Sequence, residues 1–487
     1  MSITGEAALT LGSRRGRRVL AATVLGSGLA SLDATVINIA LPSIARDFGA
    51  TLATLQWIIN GYTLTLAAFL LLGGALGDRY GRRRLFLIGV VWFTVASVAC
   101  ALAPSALVLI LGRLLQGVGG ALLTPGSLAI LSASFREQDR GAAIGAWSGL
   151  GGVAIAVGPF VGGYLIQAVS WRLVFFINVP LALAVVLLTR RSVPETRDPA
   201  AGPVDVAGAA LAALGLSGVT YALIEAGERG FRAGAVVVSL CVGLGASFGF
   251  AIVESRRTAP MLDLALFGRR PFAAANAETL VVYAALGGAM LILPMQLQLV
   301  LHYSPLAAGA ALLPTTAMML LLSSTMGRLA QRIGPRAPMT VGPLVAAAGL
   351  LLLARVEQRT TYATVILPGA IVLGLGLAIT VAPLTATVLA AVPPARAGVA
   401  SAINNAVART GSLLSVALLP SLAGLGGGQP TTAARLAAGY PRVMQLAAAG
   451  FACGALIALL RVRTPAAFAR TRTHASCPLD APALRRA

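Results

Sequence analysis

The chain is 487 residues long, 57% hydrophobic and only 11% charged, with a mean hydropathy of +0.86. Soluble domains carry about 25% charged residues, so this composition excludes a soluble globular protein and indicates a membrane protein. A net charge of +21 does not indicate nucleic-acid binding here, because all 37 basic residues are arginines scattered through short segments between apolar runs, with no basic folded domain to hold phosphates.

The apolar runs are about 20 residues long without period-two alternation, which predicts helical spans rather than barrel strands. Divided at clusters of Arg, Pro and Gly, the spans fall near 19–41, 54–76, 85–103, 106–132, 142–168, 173–189, 204–224, 233–253, 273–301, 306–326, 338–354, 364–391, 398–422 and 443–460. An even number of spans puts both termini on one side. If that side is the cytoplasm, 27 arginines lie inside, 8 lie outside and 2 lie within spans, as the positive-inside rule requires. The first run follows RRGRR and mimics a signal peptide, but it is too long for one and reads as an uncleaved span. Cys100, Cys241 and Cys453 lie in apolar runs and Cys477 in the C-terminal tail, with no metal-ligand spacing and no expected disulfide.

Within the first run, LDATVINIALP (32–42) places Asp33 where lipid should exclude it. A carboxylate mid-span costs at least ~2.5 kcal/mol and is usually functional. Asp33 shares a helical face with Ala22, Gly26, Ala30, Ile37 and Ala40, mostly small residues that admit another helix or a ligand. After the second span, GALGDRYGRRR (74–84) offers glycines for a tight turn and Asp78 as a hydrogen-bond acceptor, expected near a helix N-terminus of the opposite half. In the fourth span, Arg113, Gln116, Gly120, Thr124 and Ser127 form one polar stripe. At ~1.5 Å per residue, Arg113 and Asp33 come to similar depth and can meet. Desolvation favours the neutral form of a carboxyl group and a neighbouring arginine favours the charged form, so a residue moving between two such settings can take up and give back a proton. The alternative is a static buried ion pair. The fifth span holds GPFVGG (158–163), where Ala154, Gly158 and Gly162 permit close packing and Pro159 removes a backbone hydrogen bond.

The chain also repeats itself. Gly74, Arg79, Gly81 and Arg83 align with Gly327, Arg332, Gly334 and Arg336 of GRLAQRIGPR, and GVGGALLTPG (117–126) is echoed by GLGLAITVAP (374–383), both at an offset of roughly 250 residues. Two repeated halves around a central site are a transporter architecture that works by rocking. The predicted fold is therefore an all-α membrane protein: an N-terminal tail (1–18), a six-helix bundle (19–190), two extra helices (204–253), a second six-helix bundle (272–460) and a C-terminal tail (461–487). The extra pair, poor in polar residues, is expected to pack in lipid between the halves without lining a pathway, and Glu225, Glu228, Arg229 and Arg232 to form a solvated connection. The tail reads as disordered.

Taken together, LDATVINIALP, GALGDRYGRRR, RLLQGVGGALLTPG, GPFVGG and SWRLVFFINVP (170–180) resemble the major facilitator superfamily, and within it the fourteen-helix drug:proton antiporter branch. The resemblance covers nearly the whole chain and is strongest over residues 30–182. It implies a proton-coupling role for Asp33 and Arg113, and a conformational latch in Gly74, Asp78, Arg79, Gly81 and Arg83. It associates Gly158, Pro159, Gly162 and Gly163 with export rather than uptake.

The second half is less orthodox. Glu278 in the ninth span could bind a cationic substrate, carry a second proton or neutralise Arg409 of SAINNAVARTG (401–411), and Ser412 to Ser415 replace glycines usual in the branch. The candidate cavity residues are Asn38, Trp57, Tyr62, Gln116, Glu278, Gln296, Asn405 and Arg409, with Gln298 and Asn404 as further hydrogen-bonders. The expected function is export of small amphipathic compounds in exchange for protons across the inner or plasma membrane, with no cofactor and a single copy sufficing. A cation suits the acids, yet Arg113 and Arg409 leave the sign of the cargo open. No Walker-type loop is present to use ATP, and no catalytic cluster of His, Asp and Glu suggests an enzyme. The rivals are an uptake carrier coupled to protons and, more remotely, a non-transporting receptor.

Overall fold

Thirteen helices in the computed structural model are long and apolar enough to cross a membrane, counted among the described residues. The structure describes residues 9–199, 201–257, 260–393, 396–427 and 432–462. The thirteen are α1 (Arg14–Phe48), α2 (Leu52–Tyr80), α3 (Arg82–Ala101), α4 (Ala106–Ser134), α5 (Glu137–Ala168), α6 (Leu173–Ser192), α7 (Val206–Arg229), α8 (Gly234–Arg256), α9 (Arg270–Leu299), α10 (Pro305–Ile333), α11 (Arg336–Leu353), α12 (Tyr362–Ala390) and α14 (Ala433–Arg461). Between the last two lies α13 (Ala397–Leu422), equally long but more polar, since it carries Asn404, Asn405 and Arg409. Fourteen membrane-length helices result. The clearest difference from the predicted boundaries is α14, which begins ten residues before 443. Thr432 caps its N-terminus, and Leu436 and Tyr440 are buried along the added turns, so packing carries the helix through Pro441.

Capping explains where six of the fourteen helices start and where four of them stop. Ser13, Thr51, Ser105, Asp205, Ser304 and Thr432 each accept a backbone N–H in the first turn that follows. Gly49, Gly81, Gly230 and Gly334 close helix ends with φ between 59° and 113°, a region that side chains disfavour.

The sequence repeat is a structural repeat. Gly117 of α4 lies against the Tyr62 carbonyl of α2, and Gly374 of α12 lies against Thr315 of α10 in the same way. Gly119 meets the backbone of Phe93 in α3, and Gly376 meets that of Ala346 in α11; a Cβ on either glycine would come within 2.6 Å of backbone atoms. Absent side chains let these helix pairs approach to backbone contact. The hydroxyl of Thr65 donates to Leu114 O at 2.8 Å and that of Thr315 to Ala370 O at 2.9 Å. Arg83 donates to the last carbonyls of α6 (Val193 O, 3.2 Å), and Arg336 to those of α14 (Leu459 O, 2.9 Å). Each arginine neutralises the negative end of a helix dipole while anchoring a turn. Helices α1–α6 pack together, as do α9–α14.

The extra pair does not float free between them. Helix α7 packs on both α2 and α13, with Trp57 against Tyr221 (ring centroids 6.1 Å apart) and Ile224 buried with Ala53 and Ala417. The Thr51 hydroxyl donates to Glu228 at 3.1 Å and Glu225 pairs with Arg229 at 2.7 Å, so these residues form a structured clasp rather than a merely solvated connection. Only α8 behaves as expected of a lipid-facing helix, with exposed Val237, Val238, Leu244 and Phe248.

The two halves meet at the end remote from the termini. There Gln56 of α2 donates to Val416 O (2.6 Å) and Ala417 O (3.2 Å), and Gln298 of α9 donates to Ile39 O of α1 (3.0 Å). Helices α5 and α10 cross with Gly163 on Pro305 and Leu306, and Gly309 on Pro159. Toward the terminus end this crossing opens. A Cβ on Gly152 would stand 3.8 Å from Leu320, and beyond it Gly151, Gly149, Gly145 and Gly141 would meet nothing within 4 Å. The cleft between the halves is thus sealed at the far end and open at the terminus end.

Candidate functional site

Asp33 is 2% exposed and Arg113 is fully buried, and the two are in direct contact. Small residues make this possible. Gly26 leaves room for Phe86 of α3, and Gly61 of α2 lies 3.6 Å from the Arg113 Cβ at its own missing Cβ. The Asp33 carboxylate accepts three hydrogen bonds: from Arg113 Nη1 on one oxygen, and from Gln116 Nε2 (2.8 Å) and Asn178 Nδ2 (3.3 Å) on the other. Arg113 is equally satisfied. It donates to Gln116 Oε1 (2.7 Å) and to Ile58 O (3.2 Å), and its guanidinium stacks 4.4 Å from the centroid of the Tyr62 ring. A buried pair is tolerable when its remaining donors and acceptors are filled in this way.

Asn178 is a site residue that motif reading misses. It sits inside SWRLVFFINVP, and its amide also reaches Ser97 Oγ (2.9 Å), which in turn donates to Phe175 O (2.9 Å). A buried amide at the start of a span is the available signal. Removing one charge of this pair strands the other. Arg113→Ala is expected to destabilise the folded protein by roughly 3–5 kcal/mol, measured as thermal unfolding in detergent, and adding Asp33→Asn to it should recover most of the loss. Equal stability of the single and double variants would show that the contact is energetically idle.

The structure divides the remaining candidates. Arg409 and Asn405 lie on the face of α13 that looks into the open cleft; Asn405 is exposed and Arg409 half-buried. Arg409 lies within electrostatic reach of Tyr62 in one half and Tyr283 in the other. Asn38 is half-buried and donates to Ala34 O on its own helix. Five candidates are not in the cleft: Tyr62 and Gln116 are buried against Arg113, and three others point elsewhere. Trp57 stacks on Tyr221 of α7, because the extra pair covers that face of α2. Gln296 is 1% exposed and donates to Val356 O (3.1 Å), pinning the end of α9 to the turn after α11. Glu278 is fully buried on the face of α9 that meets Gly454 of α14, and neither carboxyl oxygen has a hydrogen-bond partner among the described residues. It does not pair with Arg409. Asn404 bridges helices, donating to Asn276 (3.2 Å) and Thr279 (2.8 Å) of α9. Ser412 and Ser415 pack on Gly287 and Gly288 of α9, with Gly288 N donating to Ser415 Oγ at 2.7 Å, so serine serves where glycine was expected.

Asp78 does not reach the opposite half. It pairs with Arg82 one turn on, at 2.8 Å. The loop around it is instead bound to the connector between α6 and α7. Glu195 accepts the backbone N–H groups of Arg83 (3.0 Å) and Arg84 (3.1 Å) at the N-terminus of α3, Asp198 N donates to Asp78 O (2.8 Å), and Arg79 reaches Gly202 O (3.3 Å). An anion at a helix N-terminus is stabilised there by the dipole and the free N–H groups, and a carboxylate from the same half supplies it. Gly74 faces Pro125 of α4, and Gly81 takes φ 113° with Glu195 packed against it. Gly158 and Gly162 lie against Thr35 and Val36 of α1, whereas Pro159 and Gly163 touch α10. This one motif therefore joins α5 to its own half on one face and to the other half on the next.

Comparison with known proteins agrees with this architecture. The family model of the Major Facilitator Superfamily matches residues 23–416 and 277–476. The chain is 37% identical over 404 residues to the multidrug resistance protein Stp of Mycobacterium tuberculosis, covering 83% of this chain and 75% of that protein. It is 36% identical over 401 residues to the tetracenomycin C resistance and export protein of Streptomyces glaucescens (82% and 74% covered) and 35% identical over 421 residues to the multidrug efflux pump LfrA of Mycolicibacterium smegmatis (86% and 83% covered). Among solved structures, a mutant of the peptide transporter POT in complex with sulfate shares the fold at a TM-score of 0.68 and 14% identity, over 93% of this chain and 96% of that one. A bacterial homologue of the human lysosomal transporter Spinster does so at 0.65 and 18%, over 92% and 98%. The chain belongs to the major facilitator superfamily, as a multi-pass membrane transporter and not an enzyme.

Proposed function

We propose that this transporter exports small amphipathic compounds from the cell by proton antiport, with Asp33 as the coupling group. The observation that carries the reading is the contact between Asp33 and Arg113 at mid-membrane, where an acid exists only by virtue of its partners. Export is supported by the relatives, three of which are named for resistance, export or efflux. With the termini in the cytoplasm, as the arginine distribution favours, the open end of the cleft faces inward and the seal at Gly163 and Gly309 faces outward.

In this form the Asp33 carboxyl group is enclosed by hydrogen bonds from Arg113, Gln116 and Asn178. Rocking to the outward-open form has to move α1 against α4, loosening those contacts, so that Asp33 takes a proton from outside. Return of Arg113 in the inward-open form expels the proton to the cytoplasm, and the cycle couples one movement to the other. Glu278, buried without a hydrogen-bond partner among the described residues, is a second candidate proton carrier. The loop at 78–84 and the glycines of α5 are the parts that must re-pack as the halves tilt. Protons, the cargo and the bilayer are the only partners needed, and one copy suffices.

The test is accumulation of a panel of positive, neutral and negative amphipathic fluorophores in cells expressing the chain. Expression should lower accumulation of at least one fluorophore tenfold or more, and a protonophore should abolish the difference. An increase in accumulation would instead identify an uptake carrier, and export indifferent to the protonophore would exclude proton coupling.

A further inference from the structure

Among the described residues, four charged side chains lie deep in the membrane-spanning part: Asp33, Arg113, Glu278 and Arg409. Three are accounted for inside the protein. Asp33 and Arg113 neutralise each other within the first half, out of reach of the cleft. Glu278 is sealed against Gly454 of α14, on a face of α9 that does not look toward α13. Arg409 alone is half-buried in the cleft, and it has no hydrogen bond or ion pair to any described residue. Half-buried Tyr283 of α9 lies within its electrostatic reach, whereas Tyr62 is buried and stacks on Arg113. The cleft face of α13 therefore offers a fixed positive charge with no ion-pair partner among the described residues and, one turn away, the exposed Asn405 amide.

We infer that the cargo carries a negative group, a carboxylate or an acidic phenol or enol, which pairs with Arg409 while its apolar body lies in the cleft. A guanidinium at bilayer depth is costly alone and is relieved by an anion, which it can hold through two parallel N–H bonds. A cation would meet repulsion with nothing to offset it. The inference deepens the transport reading above, and it adds a physical consequence. A potential negative inside expels an anion and draws in the proton, so both half-reactions gain from the same field.

Binding tests this without any gradient, so its failure is separable from failure of proton coupling. The probes are pyrenebutyrate and (pyrenylbutyl)trimethylammonium, matched in their apolar part and opposite in charge, titrated by fluorescence onto detergent-purified protein. Wild type should bind the carboxylate at least tenfold more tightly. Arg409→Gln should bring the two affinities within about twofold, and Arg409→Lys should keep most of the preference while losing bidentate affinity. Equal or tighter binding of the ammonium probe by wild type would overturn the inference, as would a carboxylate preference that survives Arg409→Gln. Should the glutamine variant not remain monodisperse, the wild-type ratio and the lysine variant decide the matter by themselves.

Discussion

Asp33→Asn is expected to abolish uphill export while leaving downhill exchange of cargo intact. At a membrane potential of about 150 mV one proton charge is worth ~3.5 kcal/mol, which at ~1.4 kcal/mol per decade sustains a cargo gradient of roughly 300-fold. Asparagine keeps the shape and can still hydrogen-bond with Gln116 and Asn178, so the halves can still rock. It cannot ionise, so the wild-type gradient should fall to about unity in proteoliposomes given an imposed proton gradient. Counterflow of radiolabelled cargo at equal pH on both sides should persist. A variant that still concentrates cargo against its gradient would make Asp33 structural, and loss of counterflow as well would mean that the substitution blocks rocking rather than coupling.

Gly309→Val is expected to push the protein out of the form described here. A Cβ at this position would lie 2.7 Å from the carbonyl carbon of Pro159, in the backbone of a helix that cannot simply yield. Overpacking of this kind costs typically 1–3 kcal/mol, enough to lower the population sealed at the far end by up to ~100-fold. Spin labels at Val169 and Leu422, both exposed and on opposite halves at that end, should report a longer separation and transport should fall in parallel. Gly245→Val on α8, where an added Cβ meets nothing within 4 Å, is the control and should change neither. If Gly309→Val left the label distance unchanged, the crossing of α5 and α10 would not be the outer seal.

Much of this is readable beforehand because a membrane makes sequence unusually explicit. Asp33 and Arg113 stand out since lipid tolerates neither alone, and simple rise per residue places them at one depth; the structure brings them together. The repeat is legible for a related reason: glycines at helix crossings cannot be replaced without separating backbones, so Gly117 with Gly119 and Gly374 with Gly376 keep their spacing in both halves. What escapes is sidedness around each helix axis. Glu278 and Gln296 share a helix with cleft-facing residues but point at α14 and at the turn after α11. Hydropathy cannot distinguish a polar group buried between helices from one lining a cleft. The partner of the 78–84 loop is equally hidden, because Glu195 lies in a connector with no periodic pattern, and its role depends on where the chain folds back. Trp57 is misplaced by sequence reasoning because a helix pair of bland composition, α7 with α8, covers one side of α2.

Proton coupling through Asp33 is tested most directly by counting the protons that cargo drives across a membrane. Purified protein in proteoliposomes, with a pH indicator dye enclosed, is given a gradient of a fluorophore that it exports. Wild type and Glu278→Gln should both move about one proton against each cargo carried, and Asp33→Asn should move none. Equal proton movement by wild type and Asp33→Asn would contradict the central role given to this residue.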